Sequence, residues 1–296
     1  MRIGVVGTGT MGSAVVKRLV DAGEEVYAED TAQAARENAA RLGAKVVPTA
    51  AEIADSAELA FLSLPMPGDV EQVVTGEGGL LARRGSLKYI VDISTVDPFT
   101  SQRNAAAAER SGLGYLDAPV LGRPQACGNW TLPVGGRAET LEACRGPMAR
   151  IAKSVVHVGP AGSGSIVKLL NNMVFGAINA ATAEVFAICR ASGLDPRVFY
   201  ETVANSGAAT VSGLFKESGS KIVTGNFEPM FTVDLLHKDM MLGIGMARRL
   251  GVPVLVSESN QNLNEMARLL KLGKEDTSSV IKVYQRLMGP GPTGSG

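Results

Sequence analysis

The sequence predicts an α/β domain with a doubly wound, mostly parallel sheet, followed by an all-α domain that is entered through a long interdomain helix. Up to residue 160, short runs rich in Val, Ile and Leu alternate with amphipathic stretches, as in a parallel sheet that is buried on both faces. Beyond residue 160 this alternation stops, and no strand pattern follows. The 296 residues are sufficient for two packed domains. We therefore predict domains at 1–160 and 161–288 and a flexible tail at 289–296.

The elements of the first domain alternate in the order that a doubly wound sheet requires. The apolar runs predict strands at 2–6, 25–29, 59–64, 89–93, 115–119, 131–134 and 155–158. The amphipathic stretches predict helices at 11–22, 32–42, 98–111 and 138–152.

The second domain opens with a continuous helical pattern over Ser163–Ala191. This segment is rich in Ala, Leu and Met, which favour helix, and it would be roughly 40 Å long at about 1.5 Å per residue. The helix is apolar on most sides, so it has more apolar surface than one small helical domain can bury. Large apolar patches on a protein surface usually mark an interface. We therefore expect a homodimer or homotetramer. Further helices are predicted at 196–205, 233–250, 254–271 and 278–287.

The composition argues against several classes of partner. Lys+Arg and Asp+Glu both number 29, so no basic excess points to nucleic acid. Three scattered cysteines and two histidines predict no metal site, and free thiols are typical of a reducing compartment. No apolar run approaches the ~20 residues of a membrane span. We expect a cytoplasmic protein that acts on a small molecule and binds neither membrane nor nucleic acid.

A GxGxxG turn, GTGTMG, lies directly after the first predicted strand and opens the first helix. Gly7 permits a tight turn, Gly9 lets the backbone approach a pyrophosphate, and Gly12 allows close packing of helix on strand. The helix that starts near Thr10 and Met11 directs its free N–H groups at the phosphates. In this strand–turn–helix context the motif predicts a Rossmann domain that binds a dinucleotide.

Asp30 ends the second strand and is expected to select between the two nicotinamide cofactors. Its carboxylate would accept both adenosine ribose hydroxyls of NAD and would repel the 2′-phosphate of NADP. The next residue is Thr31, and Arg36 lies a turn and a half into the following helix. NAD is therefore favoured and NADP stays possible. A purely local role, in which Asp30 caps the next helix, is an alternative that is compatible with cofactor binding.

Lys168 and Asn172 lie four residues apart on one face of the long helix, near its start. A lysine there is unfavourable for the helix dipole, and buried polar groups need partners. The helical pattern alone favours a surface lysine beside a core asparagine, and a functional pair is the alternative.

Five motifs occur in one order along the chain: GTGTMG at 7–12, DISTVDP at 92–98, DAPVLG at 117–122, GSGSIVKLLNN at 162–172 and FTVDLLHKD at 231–239. Together they resemble the β-hydroxyacid dehydrogenase family over nearly the whole chain. The resemblance implies hydride transfer between a nicotinamide cofactor and a small β-hydroxyacid or its semialdehyde.

The resemblance also implies roles for individual residues. Lys168 would be the general acid/base, and Asn172 would hydrogen-bond Lys168 or the substrate. The nicotinamide and its ribose would be lined by Leu64, Pro65 and Thr95. Lys238 would reach toward the cofactor on a helix that Asp239 supports. Without the resemblance, a solvated charge pair is the preferred interpretation of Lys238 and Asp239.

The substrate segment departs from the family pattern, which usually reads DAPVSGG. Leu121 replaces the serine whose hydroxyl would bind the substrate carboxylate, and Arg123 replaces a glycine. Backbone N–H groups around Gly122 would still bind a carboxylate. Arg123 either adds a bidentate clamp or points to solvent, and both interpretations stay open. Trp130 is expected to be a core residue.

Two other classes of protein share this two-domain architecture. An imine reductase or reductive aminase usually lacks the lysine at this position, so Lys168 argues against this function. Leu121, which replaces the serine of the family pattern, is compatible with it. A non-catalytic nucleotide-binding scaffold also tends to lose that lysine and is the less favoured interpretation.

Overall fold

The computed structural model describes residues 1–83 and 85–288, and the predicted flexible tail at 289–296 lies outside the described residues. The strands are β1 Arg2–Val6, β2 Glu25–Glu29, β3 Lys45–Val46, β4 Leu59–Leu62, β5 Tyr89–Asp92, β6 Gly114–Asp117, β7 Trp130–Gly136 and β8 Ala152–Gly159. The helices are α1 Thr10–Asp21, α2 Gln33–Arg41, α3 Ala50–Ser56, α4 Pro67–Thr75, α5 Pro98–Arg110, α6 Ala138–Ile151, α7 Ser163–Ala191, α8 Pro196–Ala204, α9 Gly213–Thr224, α10 Val233–Arg249, α11 Leu255–Leu269 and α12 Ile281–Met288.

The strands form one sheet in the order β3-β2-β1-β4-β5-β6-β7-β8. Neighbouring strands from β3 to β6 are parallel, β6 and β7 are antiparallel, and β7 and β8 are again parallel. The strand order reverses between β1 and β4, which opens a crevice at the carboxyl ends of these strands. The predicted fold class, a mostly parallel doubly wound sheet followed by an all-α domain, is confirmed.

The centre of the sheet is buried on both faces. Val5 of β1 and Phe61 of β4 contribute to the apolar core on one face, whereas their neighbours Val6 and Leu62 contribute to the core on the other. Successive residues of a strand point to opposite faces, so the central strands β1 and β4 are apolar almost throughout. Strands β3 and β8, at the two ends of the sheet, carry exposed polar residues.

Contacts divide the chain into one unit from Met1 to Lys168 and a second from Leu169 onward. The division falls inside α7, eight residues beyond the predicted boundary, because backbone groups at the start of α7 bind a side chain of β6. The second unit has its own core, in which the rings of Phe186 and Phe199 meet edge to face at 5.2 Å.

Helix α7 has the length and hydropathy of a membrane span, the one such helix in the described residues. The expectation that no apolar stretch approaches that length was therefore wrong. Polar residues such as Asn179, Thr182 and Glu184 interrupt the apolar run, but the mean hydropathy of the helix stays high. The core helix of a domain meets the same criterion. The buried Asn179 donates to the carbonyl of Thr277 at 2.9 Å and accepts from Ser218 Oγ at 3.2 Å, so this polar group on α7 has partners within its unit.

Candidate functional site

Most of the predicted site residues of the first unit follow the carboxyl ends of parallel strands. The glycine turn follows β1, Asp30 follows β2, Leu64 and Pro65 follow β4, and Thr95 follows β5. The loop with Leu121, Gly122 and Arg123 follows β6. Because β1, β2, β4, β5 and β6 run parallel, the structure places all these segments at one edge of the sheet, where ligands of such folds bind.

The glycine turn has the geometry that its motif requires. Gly7 has φ +82°, and an added Cβ would lie 2.3 Å from the carbonyl oxygen of Ser63. A Cβ at Gly12 would lie 1.9 Å from the carbonyl oxygen of Gly7. At Gly9 nothing lies within 4 Å of the position of a Cβ. The first and third glycines are thus dictated by packing, and the open face at the second leaves room for a ligand.

The start of α1 fits the pyrophosphate of a dinucleotide. No side chain caps this helix, and no acidic residue occupies its first turn. Gly9 and Thr10 are exposed, and Met11 is half-buried. Ser13 Oγ donates to the carbonyl of Thr8 at 2.6 Å and braces the turn. An uncapped, exposed helix N-terminus attracts an anion through its N–H groups and dipole.

Asp30 organises the two turns on either side of β2. Its Oδ2 accepts from the backbone N–H of Thr8 at 2.7 Å, and its Oδ1 accepts from that of Ala32 at 2.8 Å. Asp30 does not cap α2, because the N-cap residue of that helix is Ala32 and no side chain caps it. The local role of Asp30 is instead to hold the turns before and after β2. Arg36 Nη1 donates to the carbonyl oxygens of Asp30 and Thr31, at 2.7 and 2.9 Å, so its guanidinium lies closer to the end of β2 than its helical position suggested.

A chain of hydrogen bonds links the loops after β4 and β5. The backbone N–H of Leu64 donates to Ser94 Oγ at 2.9 Å. The backbone N–H of Ser94 donates to Asp92 Oδ1 at 2.9 Å, and Tyr115 Oη donates to Asp92 Oδ2 at 2.8 Å. The buried Asp92 thus supports the segments that carry Leu64 and, one residue beyond Ser94, Thr95.

The loop after β6 is held in one shape by Trp130. Leu121 and Thr131 form an antiparallel bridge, with the N–H of Leu121 donating at 2.9 Å. Trp130 Nε1 donates to the carbonyl of Arg123 at 2.7 Å, and a Cβ at Gly122 would lie 2.4 Å from the indole. Trp130 is fully buried, so its prediction as a core residue is confirmed. The Arg123 side chain is half-buried.

Lys168, in the second turn of α7, reaches this loop. Its Nζ donates to the carbonyl oxygen of Val120 at 2.8 Å, and the residue is half-buried. The helical pattern alone favoured a surface lysine, but the ammonium group lies beside the segment that carries Leu121, Gly122 and Arg123.

Sequence reasoning missed the role of Asp117, the last residue of β6. Asp117 is 1% exposed, and its two carboxylate oxygens accept from the backbone N–H groups of Gly162 and Ser165, at 2.7 and 2.8 Å. Burial raises the pKa of this carboxyl from 3.8 to about 6, and the two N–H donors oppose the rise. The available signal was an acidic residue at the end of an otherwise apolar strand.

In the second unit, Asp239 joins Asn172 and Lys238. Asn172 Nδ2 donates to Asp239 Oδ2 at 2.5 Å, and Asn171 Nδ2 donates to Asn172 Oδ1 at 3.1 Å. Lys238 Nζ lies 2.9 Å from Asp239 Oδ1, and these two side chains are only 16% and 4% exposed. The ion pair is therefore largely buried, unlike the solvated pair that the local sequence favoured.

Other features of the first unit lie apart from these residues. Two surface cavities of about 660 and 630 Å³ share Glu109, Gly112 and Leu113 in their linings and include none of the predicted site residues. Across residues 1–83 and 85–288, no group of three or more His, Cys, Asp or Glu side chains is arranged to hold a metal ion.

Two family models match the chain. Residues 2–159 match the NAD binding domain of 6-phosphogluconate dehydrogenase. Residues 162–284 match the NAD-binding domain of NADP-dependent 3-hydroxyisobutyrate dehydrogenase. Together the two matches extend over nearly all the described residues.

Individual relatives align from end to end. The chain is 31% identical to 2-(hydroxymethyl)glutarate dehydrogenase from Eubacterium barkeri, over 99% of this chain and 98% of that protein. It is 29% identical to 3-sulfolactaldehyde reductase from Escherichia coli, over 95% and 94%. The solved structure of 3-hydroxyisobutyrate dehydrogenase from Mycobacterium tuberculosis has a TM-score of 0.86 at 26% identity, covering 96% of this chain and 99% of that one.

Imine reductases are more distant. The enzyme from a Pseudomonas species has a TM-score of 0.59 at 20% identity, over 95% of this chain and 98% of that one. Similarity at this level concerns the fold alone.

Proposed function

Because the chain belongs to the β-hydroxyacid dehydrogenase family and is an NAD(P)-dependent oxidoreductase of CH–OH groups, we propose that it acts on a small β-hydroxyacid or its semialdehyde, with Lys168 as the general acid/base. The observation that carries this proposal is the contact of the Lys168 ammonium with the loop after β6, through the carbonyl of Val120. A proton-transfer group must lie within hydrogen-bonding reach of the reacting oxygen, and that loop is the proposed substrate segment.

The nicotinamide, when bound, supplies the acceptor or donor of the hydride. In the oxidative direction, the hydride leaves the carbon that bears the hydroxyl, and the hydroxyl proton moves to neutral Lys168 Nζ, so that a carbonyl forms. In the reductive direction, protonated Lys168 donates its proton to the oxygen as the carbon receives the hydride. General acid–base catalysis of this kind contributes about 10²- to 10⁴-fold. The roles of Asn172 and Lys238 stay predictions.

The substrate carboxylate is proposed to bind to the backbone N–H groups around Gly122 and to the guanidinium of Arg123. Leu121 offers no hydroxyl, so another donor is needed, and Arg binds carboxylates through two parallel hydrogen bonds. The names of two relatives, 2-(hydroxymethyl)glutarate dehydrogenase and 3-sulfolactaldehyde reductase, support an anionic substrate.

The test of this function is a panel of small β-hydroxyacids, semialdehydes and imines, each assayed with NAD(H) and NADP(H). We expect turnover of at least one β-hydroxyacid or semialdehyde. Turnover confined to imines would replace the proposal with the imine reductase alternative. Tight cofactor binding without turnover of any compound would favour the non-catalytic scaffold.

We expect a preference for NAD over NADP, set by Asp30. Two charges about 4 Å apart interact with about 1–4 kcal/mol near a protein surface, so repulsion of the 2′-phosphate is expected to raise KM for NADP about 10-fold or more. Asp30→Ala should lower the ratio of KM for NADP to KM for NAD, so that the preference for NAD becomes smaller or reverses. Asp30→Asn removes the charge but keeps an acceptor for one of the two backbone N–H groups.

The same comparison tests Arg36, whose guanidinium lies at the end of β2. If Arg36 helps to bind a 2′-phosphate once Asp30 is replaced, Arg36→Ala in the Asp30→Asn background should raise KM for NADP more than KM for NAD. A parent enzyme with the lower KM for NADP at matched kcat would contradict the preference.

We also propose that the protein is a homodimer or homotetramer. The second unit exposes large apolar side chains, including Ile188 on α7, at 61%, and Leu255 and Leu269 on α11, both at 78%. Leu255, Met266 and Leu269 lie along one side of α11 at helical spacing. Apolar patches of this kind usually mark an interface.

Light scattering at micromolar concentration should give at least twice the monomer mass of 30.8 kDa. Leu269→Glu is expected to lower that mass because it places a charge in the interface. Lys216→Glu, an exposed polar position on α9, is the control and should leave the mass unchanged. A monomeric parent protein would refute the proposal.

A cytoplasmic location is likewise a proposal. Cys127, Cys144 and Cys189 are all free thiols, which supports a reducing compartment.

A further inference from the structure

Helix α7 lacks a capping side chain of its own. The residue before its first turn is Gly162, whereas helices usually begin after Ser, Thr, Asp or Asn, whose side chain accepts a hydrogen bond from the first turn. Asp117 supplies this bond from β6. Its Oδ1 accepts from the N–H of Gly162 and its Oδ2 from the N–H of Ser165. A carboxylate 45 residues earlier in the chain thus caps the helix that carries Lys168.

The surroundings of Asp117 are shaped to hold this carboxylate. A Cβ at Gly135 would lie 2.5 Å from Asp117 Oδ1, and a Cβ at Gly164 would lie 2.5 Å from the carbonyl oxygen of Asp117. Both glycines therefore leave space that a side chain would take. Ser165 adds a second link, because its hydroxyl lies 3.0 Å from that of Ser101 on α5. Negative charge at a helix N-terminus is also favoured by the helix dipole.

Residues 117–120 contact both the first turn of α7 and the side chain of Lys168. Asp117 binds the backbone at the first turn of α7, and three residues later the carbonyl of Val120 accepts from Lys168 Nζ. Lys168 in turn lies three residues after Ser165. A slip of the helix by one residue moves it by about 1.5 Å along its axis and turns it by about 100°, and such a slip would break both contacts.

We propose that Asp117 is a positioning residue for proton transfer: by capping α7 it fixes where the Lys168 ammonium lies relative to the loop after β6. The inference rests on the proposed role of Lys168 as the general acid/base. A displacement of about 1 Å at a reacting group costs up to about 100-fold in rate.

The first test is Asp117→Asn, an isosteric change that leaves one acceptor and turns an NH₂ group toward the other N–H donor. We expect kcat to fall about 10- to 100-fold. The KM for the cofactor should change less than about twofold, because the glycine turn and Asp30 follow other strands. The emission of Trp130, the single tryptophan, should be unchanged, because its loop is held by separate bonds.

Asp97→Asn is the matched control. Asp97 caps α5 by accepting from the N–H groups of Phe99 and Thr100, both at 3.1 Å. Both N–H groups bind the one oxygen Oδ1, which asparagine keeps, whereas Asp117 uses a different oxygen for each of its two N–H donors. Because α5 does not carry the lysine, kcat of Asp97→Asn should stay within about twofold of the parent. A comparable loss of kcat in both variants would mean that catalysis responds to any weakened helix cap, and this would overturn the positioning role.

A double-mutant cycle identifies the route by which Asp117 acts. If it acts through Lys168, Asp117→Asn should lower kcat less than about threefold in the Lys168→Ala background, because coupled residues are not additive. Equal fold-losses in the two backgrounds would overturn the inference while leaving the proposed function intact. A Lys168→Ala variant with normal turnover would instead refute the proposed function, and the positioning role with it.

A second pair of variants serves if Asp117→Asn does not fold. Ser165→Pro removes the N–H that Asp117 Oδ2 accepts, and proline is tolerated in the first turn of a helix. Ser165→Ala keeps the N–H and removes only the hydroxyl that meets Ser101. We expect the proline variant to lose kcat as Asp117→Asn would, and the alanine variant to lose less. The opposite order would overturn the proposal.

Discussion

Replacing Lys168 with alanine is expected to lower kcat at least ~100-fold. The substitution removes the group that would exchange a proton with the substrate oxygen, so the loss should appear in the chemical step. Cofactor affinity should be nearly unchanged, because Lys168 Nζ binds the loop after β6, whereas the glycine turn follows β1 and Asp30 follows β2.

Lys168→Met is the matched variant, since it keeps the length and the apolar part of the side chain and removes only the ammonium group. Both variants should be measured for kcat by nicotinamide absorbance and for cofactor binding by titration of the protein fluorescence. Near-normal turnover in either variant would eliminate the proposed role. A loss of cofactor binding equal to the loss of kcat would indicate a structural role instead.

Replacing Arg123 with alanine is expected to raise KM for a carboxylate substrate about 10- to 150-fold and to change kcat less. A charged hydrogen bond contributes roughly 1.5–3 kcal/mol, which corresponds to that range of affinity. The loop itself should persist, because Trp130 binds the backbone carbonyl of Arg123 and not its side chain. A neutral aldehyde or alcohol without the carboxylate should barely respond to the change.

Arg123→Lys keeps the charge without the two-pronged geometry and should give an intermediate KM. Equal losses for acidic and neutral substrates would show that Arg123 holds the loop and not the substrate. No loss for either would show that the side chain does not contact the substrate, and a neutral or imine-like substrate would then fit the pocket better.

The fold class could be predicted because the pattern that encodes it is local. Strands β1, β2, β4 and β5 were predicted within two residues. Each contains three or more consecutive apolar residues without strong polar alternation, as in strands buried on both faces. The glycine turn was equally readable, because its steric demands at Gly7 and Gly12 fall within a few residues of chain.

The elements that were not predicted carry weak local signals. Strand β3 has only two residues, both exposed, and α3 has seven. Helix α4 begins at Pro67, two residues after Pro65, in a stretch that resembles a loop. Helix α9 contains two glycines, which lower helix propensity.

The sequence by itself determined the alternation of strands and helices in the first domain and the phosphate turn, because periodicity and turn chemistry involve neighbours along the chain. The other candidate residues of the site were identified through the resemblance to a family. Only the tertiary structure decided which groups meet. Asp117 accepts a hydrogen bond from Gly162, 45 residues later in the chain, and Lys168 donates to the carbonyl of Val120, 48 residues earlier. Asn172 donates to the carboxylate of Asp239, 67 residues later. A buried polar group must have a partner, but its own stretch of sequence does not say which, because a hydrogen bond depends on distances that exist only after the strands and helices have packed.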